Sequence, residues 1–158
     1  MLKFTNYNIV FREVPDEVTL AINISNCPNR CQGCHSPYLW ENVGDVLNSD
    51  SLASLLTKYN NAITCVCFMG GDAEPDNVEQ LAVFTRKSTN NQVKIAWYSG
   101  KQRFPAACSL LNFDYIKLGP YMETFGGLDS PKTNQRFYKV IDGEMVDATQ
   151  LFLSDYKL

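Results

Sequence analysis

The sequence contains one histidine, His35, which excludes an HExxH metalloprotease and any three-histidine zinc site. It has no GxxxxGK[ST] loop and no GxGxxG turn, so the common nucleotide-phosphate cradles are missing as well. No apolar run approaches the ~18 residues that a membrane span requires. Basic residues are not in excess. The 14 Lys and Arg against 17 Asp and Glu give a formal charge of −3, which argues against a nucleic-acid-binding face. Residues 1–10 show neither a basic n-region nor an apolar h-region, so nothing marks the chain for export and a cytoplasmic location is expected. Internal repeats, low-complexity tracts and linkers are also lacking. With 158 residues, 45% of them apolar, the expectation is a single domain, 1–158, around one ordinary core.

Hydrophobic periodicity places the elements. Val18 to Ile24 alternates as a strand does, and Leu52, Leu55, Leu56 and Tyr59 follow helical spacing behind the caps offered by Ser49, Asp50 and Ser51. Ala62 to Met69 is apolar on both faces, as a strand covered on both sides would be. Asp76 and Glu79 resemble a capping box ahead of a helical stripe of Val78, Leu81, Ala82 and Thr85. Val93, Ile95 and Trp97 alternate, Pro105 to Leu111 reads as a short helix, and Phe113 to Leu118 as a further strand. Lys3 to Val14 reads as a short extended N-terminal segment. Asp142-Gly143 marks a C-terminal hairpin, and Tyr121 to Asn134 a long surface loop. The strand–helix rhythm predicts an α/β fold: a partial, open βα barrel with a mainly parallel sheet.

Chemistry concentrates after the first strand of that rhythm, in Cys27-Pro28-Asn29-Arg30-Cys31-Gln32-Gly33-Cys34, a C-x3-C-x2-C motif. Three thiolates on one short loop can converge on a metal centre. An iron–sulfur cubane usually takes four protein thiolates, so with no local fourth cysteine one iron is left open to another ligand. Zinc completed by His35, Cys65 or Cys67 is the competing reading, although zinc sites more often arrive as paired C-x2-C units. Directly after the next strand stands Met69-Gly70-Gly71-Asp72, where two glycines let a small polar ligand reach the backbone and Asp72 can accept from an ammonium group. Ser99-Gly100-Lys101 and Gly119-Pro120 also follow predicted strands. In a parallel α/β fold such strand ends share one face, so one site accounts for all four segments.

These residues resemble the radical S-adenosylmethionine (SAM) enzymes and, more narrowly, the activating proteins of anaerobic ribonucleoside-triphosphate reductase, which are glycyl-radical activases. The resemblance runs through Cys27 to His35, Gly70-Gly71-Asp72, Trp97-Tyr98-Ser99-Gly100 and Asn134-Gln135. It implies one [4Fe-4S] cluster held by Cys27, Cys31 and Cys34, with SAM chelating the open iron. Gly70, Gly71 and Asp72 would hold its methionine end, with Gly33, His35 and Ser99 as further contacts. The implied reaction is reductive cleavage of SAM and hydrogen abstraction from a glycine on the reductase's glycyl-radical subunit, with a flavodoxin-like electron donor. Two positions depart from the family pattern: Gly33 stands where an aromatic residue is frequent, and Leu118-Gly119 where Asp-Gly is expected.

Other features have plainer readings. Cys65, Cys67 and Cys108 read as small buried hydrophobes, and Trp97 and Tyr98 as core aromatics before adenine contacts. Lys101, Arg103 and Lys117 read as scattered surface charge. Three further functions compete: an activase of another glycyl-radical enzyme such as pyruvate formate-lyase, an iron–sulfur electron-transfer protein that ignores SAM, and a zinc-stapled interaction module.

Overall fold

The computed structural model describes residues 1–31, 34, 37–59 and 61–153. Among the described residues there are eight strands: β1 (Lys3–Val10), β2 (Thr19–Ile24), β3 (Asp45–Val46), β4 (Cys65–Met69), β5 (Lys94–Tyr98), β6 (Tyr115–Leu118), β7 (Arg136–Ile141) and β8 (Glu144–Asp147). They form one sheet in the order β3-β1-β2-β4-β5-β6-β7-β8, open, with β3 and β8 at its edges. The expectation of a mainly parallel sheet needs correction. Only β2–β4, β4–β5 and β5–β6 pair in parallel. The other four pairings, β1–β2, β1–β3, β6–β7 and β7–β8, are antiparallel. The cause is connection length at one flank, since the short link from Val10 to Thr19 cannot make the crossover that a parallel neighbour requires.

Both faces of the parallel centre are covered. Along β4, Val66 and Phe68 point to one side and Cys65 and Cys67 to the other, the two-residue period of a strand. On the first side Leu20, Ile22, Ile95, Trp97 and Ile116 join them under two helices, α1 (Ser49–Lys58) and α2 (Pro75–Ser88). Burying these side chains contributes roughly 1.5–3 kcal/mol each. On the second side Ala96, Tyr98, Tyr115 and Phe137 pack with Val14 and Ala148. The β1–β2 connection closes over that face, tied by the Tyr98 hydroxyl to the Glu13 carbonyl and the Tyr115 hydroxyl to the Glu17 carboxylate.

The helices follow the expected stripes but not the expected caps. Leu52 and Leu55 are buried in α1, and Val78, Leu81, Ala82 and Thr85 in α2. The α1 cap is Asn48, in a reciprocal box with Ser51. In α2 the proposed Asp76–Glu79 box does not form: Glu74 is the N-cap residue and Pro75 opens the helix. Glu79 reaches across instead, accepting from the Ser109 backbone N–H at 2.6 Å and from Asn112 at 3.0 Å. The helix expected over Pro105 to Leu111 is a single 3-10 turn at Leu110–Asn112. The C-terminal hairpin is present as β7 and β8.

Candidate functional site

Because β2, β4, β5 and β6 run parallel, their C-terminal ends open on one edge of the sheet. The cysteine loop, Gly70–Asp72, Ser99–Lys101 and Gly119–Pro120 all leave from that edge. Asp72 joins three of them. Its Oδ1 accepts from Ser99 Oγ at 2.6 Å, and its Oδ2 accepts from Asn29 Nδ2 at 2.6 Å and from the Gly100 N–H at 2.8 Å. The fourth segment is tied in by Gly119, whose N–H donates to the Lys101 carbonyl at 2.7 Å.

Local geometry shapes the cysteine loop. Asn26 and Arg30 adopt left-handed backbone conformations, φ 60° and 45°, which turn the chain sharply after β2. The Cys27 N–H donates to the Leu39 carbonyl at 2.8 Å, and the Arg30 guanidinium lies 5.5 Å from the Trp40 ring centre. Cys27, Cys31 and Cys34 are each half-buried, with the Cys34 N–H donating to the Cys31 carbonyl at 3.1 Å. Gly33 and His35 lie outside the described residues.

Gly70 and Gly71 form the floor beside this loop. Their φ angles are +113° and +90°, a region that residues with a Cβ rarely adopt. A Cβ on Gly70 would come within 2.9 Å of the Ile24 carbonyl oxygen, and one on Gly71 within 2.4 Å of Val78 Cγ2. The Gly70 carbonyl already accepts from Trp97 Nε1 at 2.8 Å, which leaves it one lone pair. Trp97 is core, buried against Phe104 and Phe113, and Tyr98 is buried on the opposite face of the sheet. Ser99 Oγ donates to Asp72 and accepts from the Lys101 N–H at 3.0 Å.

Two residues in this region carry more than the sequence suggested. Lys117, read as surface charge, is half-buried and turned inward, its ammonium donating to the Ser99 and Gly119 carbonyls at 3.0 and 3.1 Å. Burial lowers its pKa, while Asp72 and the thiols of Cys31, Cys67 and Cys27 act to keep it charged. Asn29 sits inside the cysteine motif, where the only sequence signal was its place between two ligand candidates. Leu118, at the position where an acid was expected, is packed into the helix-side core.

Whether these residues suit an iron–sulfur cluster turns on the donor set. Cys65 and Cys67 lie within the sheet, and burial pushes both thiols up, away from the thiolate that ligation requires. Cys108 lies half-buried, its Sγ 3.8 Å from the Pro75 carbonyl, and burial raises its pKa too. The edge therefore presents three thiols, which suits a cubane bound through three of its irons. Among the described residues, no three Cys, His, Asp or Glu side chains gather around one point as a single-ion site demands. A cubane makes a different demand, because each thiolate takes its own iron. At the same edge, Asn134 donates to the Pro120 carbonyl at 3.0 Å, while its buried Oδ1 has no partner among the described residues.

Among the described residues no helix is long and apolar enough to cross a membrane. No curated protein and no solved structure matches the chain. The family model described as a 4Fe-4S single cluster domain matches residues 17–107, from the β1–β2 connection through all three motif cysteines and Asp72 to the segment after β5. That span covers more than half of the chain and contains the three-thiol edge, and the protein accordingly belongs to the 4Fe-4S single cluster domain family.

Proposed function

We propose that this iron–sulfur protein is a radical SAM activating enzyme that generates the glycyl radical of anaerobic ribonucleoside-triphosphate reductase. The observation that carries the reading is the union, through Asp72, of a loop bearing three thiols with a turn floored by two left-handed glycines. An electron carrier needs the thiols but has no use for such a floor. When bound, the cluster and SAM supply one-electron cleavage of the sulfonium and hydrogen abstraction from a glycine of the reductase.

The chain's own residues have distinct tasks in this reading. Cys27, Cys31 and Cys34 bind iron as thiolates. Gly70 and Gly71 let the methionine end of SAM approach the backbone, and the remaining lone pairs of the Gly70 carbonyl and Asp72 accept from its ammonium group. Ser99, through its hydrogen bond, holds Asp72 in place, and Gly33 and His35 complete the SAM contacts. The open edge of the sheet, where the parallel strands end, admits the glycine-bearing loop of the reductase. A flavodoxin-like protein in the cytoplasm delivers the electron.

The test is anaerobic reconstitution with iron and sulfide, followed by reduction and EPR spectroscopy with and without SAM. The expected result is a reduced [4Fe-4S] signal that changes on adding SAM, and its loss in Cys27→Ala. A cluster indifferent to SAM would make the protein an electron carrier, and zinc without a cluster would overturn the whole reading. Adding the glycyl-radical subunit of the reductase is then expected to yield a glycyl radical signal. A radical formed only on pyruvate formate-lyase would reassign the target.

A further inference from the structure

The side-chain amide of Asn29 has two destinations. Its nitrogen stands 2.6 Å from Asp72 Oδ2 and 3.5 Å from Cys27 Sγ. A primary amide carries two N–H bonds, one for each acceptor. Its orientation is not left to chance. Ser99 and the Gly100 N–H hold the Asp72 carboxylate, and that carboxylate holds the amide, leaving the second N–H directed at sulfur. Gly100 closes the remaining side: a Cβ there would lie 2.5 Å from Asn29 Nδ2 and 2.9 Å from its Cγ. The space the amide occupies is the space an alanine at position 100 would take.

We infer that Asn29 is a positioning residue that sets the reduction potential of the cluster, through an N–H···S bond to Cys27 whose direction is fixed by Asp72 and permitted by Gly100. The inference rests on the reading of Cys27 as a cluster ligand. Reduction adds one electron, and negative charge, to the cluster and its thiolates. A donor aimed at a ligating sulfur stabilises the reduced form more than the oxidised form, so the potential rises. Removing the donor therefore makes the cluster harder to reduce.

Two variants approach the same bond from opposite sides. Asn29→Leu keeps much of the volume and removes both N–H groups. Gly100→Ala leaves Asn29 chemically intact but drives its amide aside, and position 100 is not in the left-handed region, so the alanine meets no backbone penalty. Wild type and both variants are reconstituted anaerobically, their iron and sulfide counted, and each is titrated with dithionite while the reduced-cluster EPR signal is recorded. The expected result is full iron in all three and a more negative midpoint in both variants. For Asn29→Leu, the reduced-to-oxidised ratio at a fixed potential falls about tenfold, or about 59 mV for a one-electron couple. Full iron with wild-type midpoints would overturn the inference. Should Asn29→Leu take up no iron, Gly100→Ala decides the matter alone. A wild-type protein that takes up no iron would remove the cluster reading and this inference together, a result distinct from an unchanged potential.

Discussion

Gly71 combines two constraints that a side chain cannot satisfy together. Its φ of +90° is strained for any residue with a Cβ, and that Cβ would stand 2.4 Å from Val78 Cγ2 in the helix-side core. Gly71→Ala is therefore expected to destabilise the apo protein by about 3 kcal/mol, from backbone strain and overpacking together. Gly127→Ala provides the comparison. Its Cβ would meet only ordinary contacts at 3.8 Å and its backbone is not left-handed, so the cost should stay within about 0.5 kcal/mol. Urea denaturation of both variants measures the difference, and equal midpoints would show that the turn yields. Legibility at this scale divides by mechanism. The glycine pair and the cysteines could be read because their chemistry is written in residue type. Asn29 and Lys117 could not, since an amide or an ammonium takes its meaning from whatever the fold sets beside it.

At the level of elements, periodicity was the dependable signal and termini were not. The buried stripe of α2 is the expected one, because side-chain spacing and helical pitch determine it without reference to the rest of the chain. Its cap is not, because Glu79 is drawn away to Ser109 and Asn112 in a segment thirty or more residues distant. The antiparallel flank at β1 was hidden for a related reason: strand patterns show which residues face inward but not in which direction the neighbour runs. In α1 the cap moves only one position ahead of the expected residues, to Asn48, which accepts from the Ser51 N–H at 3.0 Å while Ser51 Oγ accepts from the Asn48 N–H at 2.9 Å. Asn48→Ala removes the side-chain half of that box. It is expected to cost about 1 kcal/mol, read as a lower urea midpoint with an unchanged slope. No change in the midpoint would mean that packing of Leu52 and Leu55 holds the first turn unaided.

Across the whole molecule the cysteines divide between two environments, and the division has a consequence for alkaline stability. The motif cysteines stand half-buried at the sheet edge, whereas Cys65 and Cys67 are wholly enclosed between β4 and its covering layer. Burial pushes both enclosed thiols above the ordinary value of 9.0. In the folded state they stay protonated where the unfolded chain ionises, so above pH 9 folding retains protons that unfolding releases, and stability falls as pH rises. Lys117 works the other way, since burial lowers its pKa from 10.5 and the folded state gives up its proton first. The two thiols outnumber that one ammonium. Apo-protein stability, measured by urea denaturation at steps from neutral pH upward, is expected to hold level to about pH 8. Each thiol then removes about 1.4 kcal/mol by about pH 10. The variant Cys65→Ala with Cys67→Ala starts less stable, because it leaves two small cavities, but its stability should decline less steeply with pH. The slope separates the effects, since a cavity lowers stability equally at every pH and a buried thiol does so only where the unfolded chain ionises. An unchanged slope in the double variant would show that these thiols do not govern the alkaline limit.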